Sequence, residues 1–248
     1  MKMILNTRAT LLGLLVSGMF LAQPAIATPF TVTAWAPAGG AGVNIQNTDP
    51  NPDRIYSGSG GGFQMTNKTP GSVESFVSWC VDIYEFIPGN TPREYNVNVG
   101  GSNLNAATRT DLGRLATQFL SLATTAGSGN YAGNYAAAFQ LAVWEIFYEH
   151  TTLPYNLQTN SGNFFSRTTT STPYTLAQGW LNQLNTNPAS ANNYSVNVYT
   201  SSGNPGYQDQ ITFTSNVPEP ATLGLLGLGL IGLGWVQRKS KRSQTAKV

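Results

Sequence analysis

Of 248 residues only 10% are charged, glycine supplies 26, and there is one cysteine and one histidine. The formal charge of +2 comes from the two ends, because between Thr28 and Pro218 six Lys and Arg stand against ten Asp and Glu, a net of −4. That balance argues against a nucleic-acid partner, and the single cysteine excludes an internal disulfide, so a domain of this size must be held together by burial.

Lys2 and Arg8 precede an apolar run from Leu11 to Ala22, followed by Ala25-Ile26-Ala27. This is the pattern of a secretory signal peptide covering 1–27 and cut after Ala27. The exported domain is then expected over 28–216, rich in Asn, Thr, Ser, Gly and Tyr, as suits an extracellular β-rich module hydrated by amides and hydroxyls. Phe30 to Trp35 alternates as a strand does, and Pro37 to about Gly62 reads as a long Gly/Asn/Pro surface loop. Within it Asn47, Asp49, Asn51 and Asp53 recur at every second position, as oxygen ligands do in a calcium loop. Pro52 stands where such a loop needs glycine and Gly58 where it needs the closing glutamate, so no metal site is expected.

Val73 to Phe86 carries bulky side chains at odd and even positions alike, predicting one strand interior to a sheet and stopped by Pro88-Gly89-Asn90. Arg93 to Val99 predicts another. From about Ala106 to Ala123, Leu112, Leu115, Phe119 and Leu122 recur at helical spacing, with Thr110-Asp111 as capping residues. A second helix is predicted from about Asn134 to Tyr148, apolar on nearly every side. It encloses Gln140, and since an unpaired buried amide costs roughly 1–3 kcal/mol, that side chain must have a partner. A Thr-rich loop at 167–173, a short helix from about Leu176 to Leu184, and strands at 194–199 and 208–213 complete the domain, with no internal repeat. The expected class is α+β: a β-sandwich or barrel with an inserted helical layer or subdomain, flanked by the signal peptide and a C-terminal membrane segment.

The chain closes with Val217-Pro218-Glu219-Pro220, an apolar stretch from Ala221 to Val236, and the basic cluster Arg238, Lys239, Lys241 and Arg242. Sixteen apolar residues make a helix of about 24 Å, slightly short of a hydrocarbon core, and the trailing cations predict a cytoplasmic end. The triplet Pro218, Glu219, Pro220, the Gly/Leu-rich helix and the basic tail over 217–242 resemble the PEP-CTERM sorting signal of exported bacterial proteins. That resemblance implies sorting by an exosortase-type protease, transient anchoring in the inner membrane, delivery to the cell surface or matrix, and a biofilm or exopolysaccharide setting. An ordinary tail anchor is the plainer alternative.

Two internal segments, Trp79-Cys80-Val81-Asp82 and Phe139-Gln140-Leu141-Ala142-Val143-Trp144-Glu145, resemble the paired motifs of bacterial thioester domains, with Phe139 where that family usually has threonine. The resemblance implies that Cys80 is the sulfur donor and Gln140 the acyl donor of an internal thioester. Ala142 and Trp144 would pack around it, Asp82 and Glu145 would polarise the bond or steer an amine, and an amine-bearing surface would be the target. Against this stands a purely structural reading, in which Cys80 is a small buried hydrophobe and Gln140 bonds a main-chain carbonyl.

Hydrolytic chemistry has little to work with. His150 is the sole histidine, ends a predicted helix, and could pair as a base only with Cys80. No Gly-x-Ser-x-Gly, His-Glu-x-x-His or phosphate-binding loop occurs, and Gly58 to Gly62 lacks a following Lys-Ser/Thr. Asp82, Glu85, Glu145 and Glu149 are the carboxylates a glycan hydrolase would draw on. The expectation is a non-enzymatic envelope or matrix protein without cofactor, either a covalent adhesin or a non-covalent structural or polysaccharide-binding module.

Overall fold

The computed structural model describes residues 29–49, 53–67, 74–87, 92–124, 130–149, 154–203 and 206–216. The expected signal peptide, the sorting segment from 217 onward, His150, and Asn51-Pro52 of the calcium-like spacing lie outside the described residues.

Strands β1 (Pro29–Asn47) and β2 (Arg54–Asn67) form a long antiparallel hairpin, paired from Val32↔Asn67 to Asn47↔Arg54 with register shifts between Val32 and Ala34 and between Pro37 and Gly39. The loop expected over 37–62 is therefore corrected to paired strand. Glycine weakens an isolated strand, yet at Gly61 the packing requires it. A Cβ on Gly61 would stand 2.0 Å from the Gly39 carbonyl oxygen, so a side chain there would push the hairpin apart.

Strand β3 (Glu74–Cys80) lies between β2 and the closing strand Gln210–Ser215. That closing strand pairs with Tyr194–Ser201, which pairs with β4 (Arg93–Asn98), and β4 returns to the start of β1 through Pro29↔Asn96. With β5 assigned to Phe164–Ser166, these last two strands are β6 (Tyr194–Ser201) and β7 (Gln210–Ser215). Six strands, in the order β1-β2-β3-β7-β6-β4, close into an antiparallel barrel, and the short β5 adds to the end of β1. The fold is α+β, and of the two expected arrangements the barrel is found. Among the described residues closure leaves no long open edge, so these strands are paired within the domain.

The strand expected over 73–86 ends at Cys80. Beyond it Asp82 turns the chain, its Oδ1 accepting the Tyr84 N–H at 2.7 Å, a local bond that competes with the ladder. β5 was not legible in the sequence, since three residues give no alternation to read.

Three helices follow β4 and pack as a layer: α1 (Ala106–Thr124), α2 (Asn130–Tyr148) and α3 (Thr172–Thr186). Asn105 caps α1, accepting from the Thr108 N–H at 2.8 Å, so the expected Thr110-Asp111 cap is corrected. Asp111 is instead a buried partner of Arg114. Ser171 caps α3 ahead of Pro173, which starts that helix earlier than expected. α2 is the central helix, buried at every residue from Ala136 to Ile146 and packed against α1, α3, β1 and β2. It is seated on the hairpin at Gly133, where a Cβ would lie 2.3 Å from the Gly40 carbonyl oxygen.

Candidate functional site

The site forms where α2 meets the end of β3. β2 accompanies β3 only as far as Gly62↔Trp79, while β7 continues through Cys80↔Gln210 and the Val81 N–H bonds the Asp209 carbonyl at 3.0 Å. Strand geometry turns the main-chain N–H and C=O of Cys80 to the side that β2 has left. Gln140 fills that gap: the Cys80 N–H donates to its Oε1 at 3.0 Å, and its Nε2 donates to the Cys80 carbonyl at 2.7 Å. The partner required for the buried amide is thus the main chain of the one cysteine.

Alternation along β3 places the Cys80 side chain on the face of Phe76 and Ser78, opposite Val77 and Trp79. There its sulfur meets β7 and the residues just before it. Sγ donates to Gln208 Oε1 at 3.0 Å and accepts from Gln210 Nε2 at 3.3 Å. Burial pushes the thiol pKa up to about 12, with the Gln210 donation acting in the opposite direction and the Asp82 charge adding to the rise. Cys80 is 2% exposed.

Cys80, Gln140 and Gln208 line a cavity of about 350 Å3 whose walls are largely apolar and include the rings of Tyr56, Phe63, Phe86 and Trp144. Gln140 and Trp144 reach it together because they are four residues apart on one face of α2. Glu85 is the carboxylate that lines it, its pKa raised by partial burial and then by the charges of Asp82 and Asp209. Phe86 is 69% exposed, so the cavity grades from a buried thiol to an open aromatic rim.

Of the sequence-predicted residues, the structure brings Cys80, Gln140 and Trp144 to one cavity, with Asp82 adjoining through its carbonyl, which accepts from Gln208 Nε2 at 2.5 Å. Ala142 is buried in the helix layer. Glu145 does not line that cavity: its Oε1 accepts the Asn156 N–H at 2.6 Å. Glu149 likewise holds the Phe164 N–H, so the four carboxylates considered for glycan hydrolysis fall into two separate groups. Gln208, Gln210 and Tyr56 were missed. The one available signal was Gln208 and Gln210 at alternate positions leading into a strand, which puts both amides on one face.

Around the calcium-like spacing, Asn47 Nδ2 donates to Tyr84 Oη at 3.2 Å, and Gln46 Nε2 donates to Asp53 at 2.9 Å. Among the described residues no group of three or more His, Cys, Asp or Glu is placed to hold a metal ion.

Residues 216–239 match the PEP-CTERM protein-sorting motif. The motif implies an exported protein handled at the membrane by an exosortase. Among the described residues no helix is long and apolar enough to cross a membrane. In structure the chain is similar to the N-terminal domain of the Streptococcus pyogenes pilus tip adhesin Cpa, at 13% identity over 74% of this chain and 94% of that one, with a TM-score of 0.41. It is similar also to the N-terminal thioester domain of a Clostridium perfringens surface protein, at 14% identity over 61% and 88%, with a TM-score of 0.39. A third is the N-terminal thioester domain of fibronectin-binding protein SfbI from Streptococcus pyogenes, at 17% identity over 63% and 87%, with a TM-score of 0.40. These likenesses are distant. No curated protein matches the chain.

Glu145 gives the domain a pH dependence of its own. It is 1% exposed, and its Oε2 has no hydrogen-bond partner among the described residues. Burial raises its pKa from 4.5 to about 8, against the lowering by the Asn156 N–H and with the Glu149 charge adding to the rise. Between those values the unfolded chain has released a proton that the folded chain still holds, so stability falls as pH rises through that window. Thermal melts at pH 5 and pH 8 are expected to show a higher midpoint at the lower pH, roughly in line with a few kcal/mol of linkage. Glu145→Gln should flatten that difference. An unchanged slope in the variant would show that the carboxyl is ionised in the fold.

Proposed function

We propose that the exported domain is a covalent adhesin in which Cys80 and Gln140 condense to an internal thioester that an amine on a target surface then opens. The observation that carries this reading is the double hydrogen bond of the Gln140 amide to the Cys80 main chain. An amide bonded to both the N–H and the C=O of one residue lies beside its Cα, and here that Cα carries the one thiol of the chain. In the condensation Sγ bonds to the Gln140 carboxamide carbon, the C–N bond breaks, and ammonia leaves with the thiol proton. In the second step an amine nitrogen bonds to the same carbon, the C–S bond breaks, and the amine proton restores the thiol. The apolar walls limit hydrolysis between the steps, and the open rim admits an amine.

The intact mass of the exported domain is expected to fall one ammonia short of its sequence and to rise by one methylamine on incubation with that amine. Cys80→Ala should abolish both changes. A domain at full sequence mass with an alkylatable thiol would leave a non-covalent module. That second reading is favoured by the main-chain pairing of both ends of the Gln140 amide and by a cavity carrying aromatic rings of the kind that stack on sugars.

Delivery follows from the terminal signals. The surface form is expected to begin near Thr28 and to end close to Pro220 in cells with the sorting protease. Mass spectrometry of surface protein still carrying Arg238 to Val248 would mark the segment as a simple anchor.

A further inference from the structure

Three side-chain amides converge on one cysteine, and the thioester reading uses only Gln140. The orientation of the other two is fixed by what lies behind them. The Asp82 carbonyl can only accept, so the end of Gln208 that meets it is Nε2, which leaves Oε1 to face Sγ at 3.0 Å. The thiol is therefore the donor in that contact. The Gln208 carbonyl also can only accept, and Gln210 Nε2 lies 3.3 Å from it and 3.3 Å from Sγ, while Gln210 Oε1 takes the Ser78 hydroxyl at 3.1 Å. Gln210 is 0% exposed and sits opposite Cys80 in the β3–β7 ladder, so its amide is held by the barrel itself. Both hydrogen-bonding roles of the sulfur are thus occupied, one by each glutamine.

We infer that Gln208 and Gln210 are positioning residues for the Cys80 sulfur, Gln208 fixing the direction of its S–H and Gln210 supplying an N–H to the charge that sulfur carries when its bond to carbon forms or breaks. This rests on the thioester reading and adds to it the means by which a deeply buried thiol reacts. Without a donor, a sulfur in apolar surroundings resists becoming a thiolate, and the donation from Gln210 works against that resistance. Neither glutamine is consumed: the bonds exchanged are those between Sγ, the Gln140 carboxamide carbon and the departing or arriving nitrogen.

The test uses the exported domain after methylamine treatment, which leaves Cys80 as a free thiol whether or not a thioester had formed. With one cysteine in the chain, the Raman S–H stretch is a single band. In the unaltered protein that band is expected below the position of a thiol in apolar solvent, and Gln208→Met should move it up to that position. Gln210→Met should slow alkylation by iodoacetamide at fixed pH by about tenfold or more, the effect of one hydrogen bond to a charged group, with the melting curve still cooperative. An S–H band at the unbonded position in the unaltered protein overturns the inference without any variant. So does an unmoved band in Gln208→Met or an unchanged alkylation rate in Gln210→Met. The thioester is judged separately, by the missing ammonia in the untreated protein, so its failure and the failure of this inference are distinguishable.

Discussion

In a Cys80→Ala background, replacing Gln140 by leucine is expected to lower the melting temperature by about 10 °C. The background removes the sulfur, so no thioester can form and the amide keeps its bonds to the main chain of residue 80. Leucine fills much the same volume and suits the helix, so packing and propensity change little. What is lost is the pairing of a buried N–H at 3.0 Å and a buried C=O at 2.7 Å, in a place where β2 has already diverged. Each such group left unpaired costs about 1–3 kcal/mol. Gln140→Glu separates the two bonds. A carboxylate still accepts from the N–H but offers nothing to the carbonyl, whereas a protonated carboxyl can do both, so this variant should regain stability as pH falls. Melts that agree within 2–3 °C across the three proteins would mean that the end of β3 is solvated rather than held by α2.

The second large effect lies away from the cavity. Arg114 is 2% exposed and bonds Asp111 one turn before it, the Ser190 hydroxyl at 2.9 Å, and the carbonyls of Leu184 at 2.8 Å and Asn187 at 2.5 Å. Asp111 also takes the Tyr155 hydroxyl at 2.7 Å. This network ties α1 to the end of α3 and to the segment entering β5. Asp111→Ala strands the guanidinium in the core and is expected to cost about 3–5 kcal/mol, or roughly 10–15 °C in the melting temperature. The double variant Asp111→Leu with Arg114→Met removes both charges and should recover much of that loss, because burying an ion pair contributes less than breaking one costs. A double variant as unstable as the sum of its singles would show that the two residues act independently.

The apolar circumference of α2 was legible because burial is written in composition: a helix with no polar face has to be enclosed, and an amide inside it has to be paired. The paired motifs at Cys80 and Gln140 and the Pro-Glu-Pro triplet were legible as local strings. Among the places that local rules misread, two are instructive. Thr110-Asp111 satisfies the capping pattern as well as Asn105 does, and only the arrival of Arg114, α3 and Tyr155 around Asp111 decides that it is a buried partner. The glycines from 57 to 62 read as loop because glycine carries no side chain to pack and weakens an isolated strand. They become strand because pairing with β1 brings Gly61 onto Gly39 and leaves room there for nothing larger. The sulfur's own partners lay furthest from reach. Gln208 and Gln210 are 128 and 130 residues from Cys80, and no spacing along the chain connects them. Sequence alone required that Gln140 have a partner. The point where β2 leaves β3 while β7 continues decided that the partner is Cys80's main chain, and left the sulfur to the glutamines beside it.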